Sequence, residues 1–292
     1  MILNVSSRTD IVAFYSTWFF NRIKEGYVDV RNPFYPSMIS RIYFDDVDAI
    51  IFCTKNPFPI LKGIENVSIP FVFHITLTPY HKEIEPNIIA KGKIIEAIKV
   101  LSKKIGKEKI YIRYDPIFLS PKYSISYHIQ AFENLCKLLD GYVEHIIISF
   151  IDDYKNVRLN SSILKLQPIT KEEEILLAQN FFTIANKYHM MIQTCCEEDF
   201  EEYGFIKRAC MDKELAFSLT GKSNFKKWKS RNCGCVEMVD IGQYNSCLHM
   251  CKYCYANFNE KLVKSHYQQH DNMSSLLLGH IEDGDVIKIR KG

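Results

Sequence analysis

Length, composition and charge narrow the classes to which this chain can belong. Its 292 residues, 47% of them hydrophobic, suffice for a substantial core and for one large α/β domain. The 37 basic and 34 acidic side chains give a formal net charge of +3, which is too even to predict binding to nucleic acid or to an anionic membrane surface.

Six short apolar runs predict buried strands, and each run ends in polar residues. β-Branched residues dominate these runs, as they do in parallel strands that are covered on both faces. In chain order the runs are 2–5, 49–52, 71–75, 110–112, 145–148 and 190–192. Helices are predicted around 15–23, 94–105, 126–140 and 172–187.

The alternation of strand and helix predicts an α/β fold with a partial or closed parallel (β/α) barrel over residues 1–194. Functional residues in such a fold lie at the C-terminal strand ends, where we find Arg8, Asp10, Lys55, Arg113 and Asp115. An alternative role for Arg113 and Asp115 is an internal salt bridge, because buried charges must be paired.

Two segments depart from this pattern. Residues 27–46 contain prolines and predict an inserted loop or hairpin with an edge strand. Residues 195–292 form a cysteine-rich C-terminal segment, for which we expect a small lobe packed on the barrel.

The N-terminus and the apolar runs predict a soluble, cytoplasmic protein without a membrane partner. No signal peptide and no stretch of ~20 apolar residues is evident. Cytosolic thiols stay reduced, so clustered cysteines among the ten are expected to bind metal or to carry thiol chemistry.

The clearest chemical signal is the C-x3-C-x2-C spacing of Cys247, Cys251 and Cys254. Three thiolates hold a four-iron cubane while leaving one iron without a protein ligand, and a bidentate small molecule can coordinate that iron. A structural zinc requires a fourth ligand, and His249 lies between the first two cysteines rather than beyond the third. The spacing therefore favours an open 4Fe-4S cluster.

With the aromatic Tyr253 directly before its last cysteine, the triplet resembles the radical S-adenosylmethionine (SAM) superfamily. The resemblance implies that SAM binds the open iron and is cleaved reductively to methionine and a 5'-deoxyadenosyl radical. It also implies an electron donor such as flavodoxin or ferredoxin, an unknown substrate, and a position for Tyr253 near the adenine. His249, inside this loop, is the histidine that we would test.

Further motifs resemble one bacterial family, domain of unknown function 1848, over nearly the whole chain. They occupy residues 7–11, 54–57, 113–117, 233–235 and 240–245. A weaker likeness, at 54–55, 76–77 and 85–86 and around 113–116, is to the spore photoproduct lyase group of radical SAM enzymes.

The position of the triplet departs from that of most superfamily members, in which it follows the first strand. We infer a circular permutation, with residues 238–241 forming a strand beside the one that begins at Ile2. The usual Gly-Gly-Glu stretch for the SAM amino group is absent, and its predicted replacement is Ser6, Arg8, Thr9 and Asp10. Predicted contacts to the SAM carboxylate, its ribose or a polar substrate are Lys55, Arg113 and Asp115.

A second group of cysteines precedes the triplet. Thiolates suit both an auxiliary 4Fe-4S cluster and a tetrahedral zinc, and the spacing does not separate them. The family resemblance favours the cluster and selects Cys195, Cys210, Cys233 and Cys235, leaving Cys196 outside the set. Cys136, on a predicted helix, is expected to be a small buried residue, and His74 and His145 are expected to be satisfied core histidines. For Cys53, at a strand end, core packing is favoured, and the alternative is a position near the pocket beside Lys55.

Three functions are compatible with these motifs. The first is a radical SAM enzyme, and the second is a zinc-stabilised binding protein without redox chemistry. The third is a nucleic-acid repair enzyme of the photoproduct lyase kind, which the even charge disfavours.

Overall fold

The computed structural model describes residues 1–195, 197, 200–229 and 233–291. The strands in these residues are β1 (Ile2–Val5), β2 (Tyr27–Arg31), β3 (Met38–Tyr43), β4 (Ala49–Thr54), β5 (Phe71–Thr76), β6 (Ile110–Ile117), β7 (His145–Phe150), β8 (Met191–Thr194), β9 (Met238–Asp240) and β10 (Val286–Ile289). The α-helices are α1 (Ile11–Phe14), α2 (Ser16–Glu25), α3 (Lys91–Ile105), α4 (Ile125–Leu139), α5 (Lys155–Leu159), α6 (Ser161–Leu164), α7 (Lys171–Lys187), α8 (Lys213–Thr220) and α9 (Glu260–Gln268). The six predicted strands and the four predicted helices are therefore confirmed.

Seven strands form one parallel sheet in the order β8-β7-β6-β5-β4-β1-β9. From β1 to β8, neighbours in this sheet follow one another along the chain, without the reversal of strand order that marks a doubly wound sheet. The predicted α/β class is confirmed. Strands β8 and β9 are the two edges of the sheet, and they do not pair with each other in the described residues.

Strand β9 lies beside β1, as the sequence predicts. Met238 pairs with Ile2 and Asp240 pairs with Asn4, both in parallel register. The loop that follows β9 and carries Cys247 therefore begins at the C-terminal edge of the sheet, where β1 and β4 also end.

The two faces of the parallel sheet are covered by different segments. Successive strand side chains alternate between the faces, so Phe52 belongs to the buried cluster that includes α2, α3, α4 and α7, whereas Ile51 belongs to the cluster on the opposite side. The opposite side is covered by residues 209–229 and 233–236, which include α8 and contribute Met211, Leu215 and Val236. We call the first side the helical face and the second the cysteine face.

A second, three-stranded sheet has the order β10-β3-β2. The predicted hairpin is confirmed as the antiparallel pair β2 and β3. Strand β10 pairs in parallel with β3, so the edges are β2 and β10. Thus the last part of the chain returns to the inserted hairpin. In the described residues, no helix has the length and apolar character needed to cross a membrane.

Candidate functional site

The three cysteines of the triplet lie on one loop, residues 245–257, which we call the triplet loop. Cys247 is 9% exposed and Cys251 is 5% exposed, while Cys254 is partly buried. Burial raises the pKa of Cys247 well above its usual value, and the nearby Asp10, Cys254 and Cys251 raise it further. The three predicted ligands therefore lie close enough for Cys251 and Cys254 to influence the pKa of Cys247.

Two asparagines close the triplet loop on itself. The Asn257 amide donates to the Cys247 carbonyl at 2.6 Å and accepts from the Cys247 N–H at 3.4 Å. The Asn245 side chain accepts from the N–H groups of Phe258 and Asn259 at 2.9 and 3.1 Å. Asn245 itself has a φ of 53°, a region that asparagine tolerates better than most residues.

Three further asparagines hold the triplet loop from outside. Their amides donate to backbone carbonyls of the loop, which would otherwise lack partners in a buried, irregular segment. The pairs are Asn87 to Leu248 at 2.7 Å, Asn156 to Cys254 at 2.8 Å and Asn160 to Lys252 at 2.9 Å. Sequence reasoning missed all three. Asn156 lies in α5, and Asn160 caps the C-terminus of that helix.

Glu85 is the centre of a buried ionic network beside the triplet loop. Its carboxylate, 1% exposed, accepts from the Lys55 ammonium at 3.0 Å and from the Thr78 hydroxyl at 2.7 Å, and it also contacts the Lys91 ammonium and the Tyr253 hydroxyl. Burial raises the pKa of Glu85, but Lys55 and Lys91 more than offset this and lower the pKa to about 2. Glu85 therefore stays ionised and holds two cations near the cysteines.

Lys55 lies at the end of β4, as the sequence predicts, and faces the triplet. Its ammonium is 5.4 Å from the centre of the Tyr253 ring. Burial raises the pKa of Cys251 to about 12, and the positive charge of Lys55 opposes that rise. Because Tyr253 directs its hydroxyl at Glu85, this side chain anchors the loop to the same network.

Asp10 joins β1, β4 and the triplet loop. One carboxylate oxygen caps α1 through the Ala13 N–H at 2.9 Å. The other accepts from the Lys55 backbone N–H and lies 2.7 Å from Nε2 of His249. A carboxylate only accepts hydrogen bonds, so Nε2 of His249 carries a proton.

Two buried polar atoms beside Asp10 have no hydrogen-bond partner. They are the Thr9 hydroxyl and Nδ1 of His249, from a set of four such atoms in the described residues. Buried polar groups are normally paired, so the unpaired Nδ1 of His249, on the loop that carries the three thiols, fits a place where a polar ligand binds. Of the four residues at the end of β1 predicted to meet SAM, Thr9 is the one with an unpaired buried side-chain oxygen.

Ser6 and Arg8, from the same predicted set, bind the end of β9. The Ser6 hydroxyl donates to the Asp240 carboxylate at 2.7 Å. Arg8 donates to that carboxylate at 3.2 Å and to the Asp240 carbonyl at 2.7 Å. These side chains therefore fasten β9, and with it the triplet loop, to β1.

Gly242→Ala is expected to loosen this junction. An added Cβ would lie 2.0 Å from Oγ and 2.9 Å from Cβ of Ser6, which Asp240 holds in place. We expect urea denaturation to show a loss of about 1–3 kcal/mol in the free energy of unfolding. The control is Gly92→Ala in α3, where nothing lies within 4 Å of the new Cβ, and equal losses in both variants would contradict the steric argument.

The second cysteine group lies on the cysteine face. The second-group thiols lie close enough to shift one another's pKa: Cys195 and Cys235 raise the pKa of Cys210, while Cys210 and Cys233 lower that of Cys235. Hydrogen bonding to Cys210 is the main cause that lowers the pKa of Cys235 to about 6. The four predicted residues are thus brought together, while Cys196 lies outside the described residues.

Arg113 connects strand β6 with the second cysteine group. Its guanidinium donates to Asp115 at 2.9 Å and to the sulfur of Cys210 at 3.2 Å. The predicted internal salt bridge therefore exists, and it also reaches a thiol. His74 is a buried core residue, as predicted, but its Nε2 has no hydrogen-bond partner in the described residues. Burial, helped by Arg113, lowers the pKa of His74 to about 3.

No three of the described His, Cys, Asp and Glu side chains surround a point that would hold one metal ion. Zinc requires all its donors close to one ion, with sulfur about 2.3 Å away. In the second group, Cys195 interacts electrostatically with Cys210, Cys233 and Cys235 alike. An iron–sulfur cluster has a separate iron for each thiolate, so its ligands need not converge on one point.

The chain matches one family model over most of its length. Residues 2–256 match the model described as Domain of unknown function (DUF1848). No curated protein matches the sequence. A solved structure described as a putative alpha-L-fucosidase from Bacteroides thetaiotaomicron VPI-5482 is 13% identical, with 78% of this chain and 82% of that chain covered and a TM-score of 0.26. At that score the likeness supports no inference.

Proposed function

The chain belongs to the DUF1848 family, and we propose that it is a radical SAM enzyme, which cleaves SAM reductively to begin hydrogen abstraction from a substrate still to be identified. The observation that carries this proposal is the triplet loop. It carries the buried or partly buried thiols of Cys247, Cys251 and Cys254 at the C-terminal edge of a parallel sheet, near Asp10 and near His249, whose Nδ1 has no partner.

The thiols divide between two proposed clusters. Cys247, Cys251 and Cys254 would hold the SAM-binding 4Fe-4S cluster, and a second 4Fe-4S cluster would be held by Cys195, Cys210, Cys233 and Cys235. When bound, the first cluster supplies the electron that splits SAM into methionine and a 5'-deoxyadenosyl radical. The electron would come from a donor such as flavodoxin or ferredoxin.

The protein's own side chains prepare this site in three ways. The positive charge of the Lys55 ammonium lowers the pKa of Cys251 and would therefore stabilise the thiolate form that binds iron. The asparagine contacts hold the loop backbone in one conformation. Burial of Cys247 and Cys251 excludes water, which would otherwise quench the attraction between the charges.

The strand order supports a permuted partial barrel of the radical SAM kind. When β9 is counted first, all seven parallel strands become consecutive neighbours, from β9 and β1 through to β8. Consecutive neighbours are the strand order of a (β/α) barrel, with ligands bound at the C-terminal edge. In this arrangement β9 would correspond to the first superfamily strand, and the triplet loop would follow it.

Anaerobic reconstitution tests the proposed function. We expect a brown protein with about eight iron atoms per chain, four for each cluster. Addition of dithionite and SAM should release 5'-deoxyadenosine and methionine, which chromatography would detect. A colourless protein containing zinc and giving no nucleoside would refute the proposal. Salt-dependent binding of DNA would instead support the repair enzyme.

A further inference from the structure

We propose that a basic surface beside the second cysteine group docks a small acidic electron-transfer protein, which reduces the cluster proposed there. The inference rests on the proposed function, because it needs a cluster at the second group. We call this area the lysine surface. It is a shallow depression lined by Lys226, Lys227, Trp228, Lys229 and Glu237.

The lysine surface is joined directly to the second cysteine group. The Trp228 N–H donates to the Cys235 carbonyl at 2.9 Å, and the Glu237 N–H donates to the Lys226 carbonyl at 2.8 Å. Lys227 and Val236 form an antiparallel bridge between these bonds. The lysines therefore lie on the segment that pairs with the backbone of Cys235. The pKa of the Cys235 thiol is in turn lowered by Cys210 and Cys233 of the same group.

The charge of the lysine surface is not balanced within the described part of the chain. Lys226, Lys227 and Lys229 are exposed, and the ion pairs found there do not involve them. Lys222, a few residues earlier, instead pairs with Asp48 at 2.5 Å. With Glu237 as the acid lining the depression, three positive charges face one negative charge and leave the surface attractive to an acidic partner.

The surroundings favour a redox protein over nucleic acid as this partner. Electron-transfer complexes are weak, use small interfaces and depend on charge steering, which suits a compact patch of three lysines. Nucleic-acid binding requires a longer basic stripe, and the net charge of the whole chain is only +3. The half-buried Trp228 supplies an aromatic residue of the kind enriched at interface centres.

The transfer itself is a one-electron step. The donor is oxidised by one electron and the second cluster is reduced by one electron. No covalent bond forms or breaks, and no proton accompanies the electron. Because residues 209–229 and 233–236 cover the cysteine face and Cys233 is partly exposed, the electron would enter beside Cys233 and Cys235.

The test uses the reconstituted holoenzyme and flavodoxin as the probe. In one variant, Lys226→Glu, Lys227→Glu and Lys229→Glu are combined. We expect its Kd for flavodoxin at low salt, measured by anisotropy, to rise about tenfold or more. The rate at which flavodoxin hydroquinone reduces the second cluster, followed by stopped-flow absorbance below saturation, should fall by a similar factor. Dithionite needs no docking surface and should reduce variant and wild type alike.

The matched control changes the same number of charges on the helical face. It combines Lys24→Glu, Lys103→Glu and Lys137→Glu, three exposed residues near the ends of α2, α3 and α4. Equal weakening in both variants would assign the effect to net charge and overturn the docking surface, as would unchanged reduction by flavodoxin in the lysine-surface variant. Loss of single-stranded DNA binding without loss of flavodoxin binding would also overturn it. Failure of the proposed function is distinguishable, because wild type would then release no nucleoside even with dithionite.

Discussion

Replacing Cys247, Cys251 and Cys254 together with alanine is expected to abolish 5'-deoxyadenosine formation and to leave about four iron atoms per reconstituted chain. The reason is that the three thiols share one loop, whereas the second group lies on the cysteine face, with residues 195–235 supplying all its members. Iron analysis and chromatography of the nucleoside measure the two effects separately.

The converse variant completes this test. Cys210→Ala with Cys235→Ala removes the two central members of the second group and should leave the triplet iron in place. Cys136→Ala is the control, because Cys136 is buried on α4 among helical-face residues and should keep all the iron. Loss of both clusters from the triplet variant would show that the division of the cysteines is wrong.

Glu85→Gln is expected to destabilise the fold by about 3–5 kcal/mol, since it leaves the ammonium groups of Lys55 and Lys91 without their buried counter-charge. Urea denaturation at neutral pH measures this loss. The matched control is Glu83→Gln. The pKa of Glu83 is also lowered to about 2, by hydrogen bonds from Lys122 and Tyr123, but its side chain is 43% exposed.

The two substitutions are expected to differ in their effect on stability because the two glutamate side chains differ in solvent exposure. A solvent-exposed ion pair is screened by water and contributes about 0–1 kcal/mol, so Glu83→Gln should have a small effect despite the similar pKa. Glu85 is 1% exposed, and no water can replace its carboxylate. A loss of equal size in both variants would show that Glu85 is not the centre of the network.

The pH dependence of stability provides an independent check on Glu85. Its pKa is lowered from 4.5 to about 2 in the folded chain. A carboxyl group with a depressed pKa contributes stability that is present above the unfolded pKa and is lost as the pH falls through the folded pKa. The difference in stability between wild type and Glu85→Gln should therefore stay constant above about pH 4.5 and shrink as the pH falls from about 4.5 to about 2.

Several features of this protein follow from the sequence by itself. The six strands are predicted by short apolar runs that are rich in β-branched residues. Each strand is such a local run because burial on both faces requires apolar side chains. The spacing of Cys247, Cys251 and Cys254 is also local, since a short stretch of backbone keeps these thiols near one another in any compact loop. The position of β9 beside β1 was predictable from the family resemblance.

The ionic network around Glu85 was decided only by the tertiary structure. Glu85 is 30 residues from Lys55 and 168 residues from Tyr253 along the chain. No period or spacing relates groups at such separations, because their meeting depends on which strands end at the same edge of the sheet. The contact of Arg113 with Cys210 has the same origin, 97 residues apart.

Strand β10 shows the same limit at the level of the fold. Its residues, 286–289, are exposed and carry no motif, yet they pair with β3 through backbone hydrogen bonds that any side chains would permit. Local patterns in the sequence thus determine the six buried strands that were predicted and where the triplet thiols cluster. Only the folded chain determines which distant charges, amides and strand edges meet, because those contacts form between elements whose relative positions no local pattern encodes.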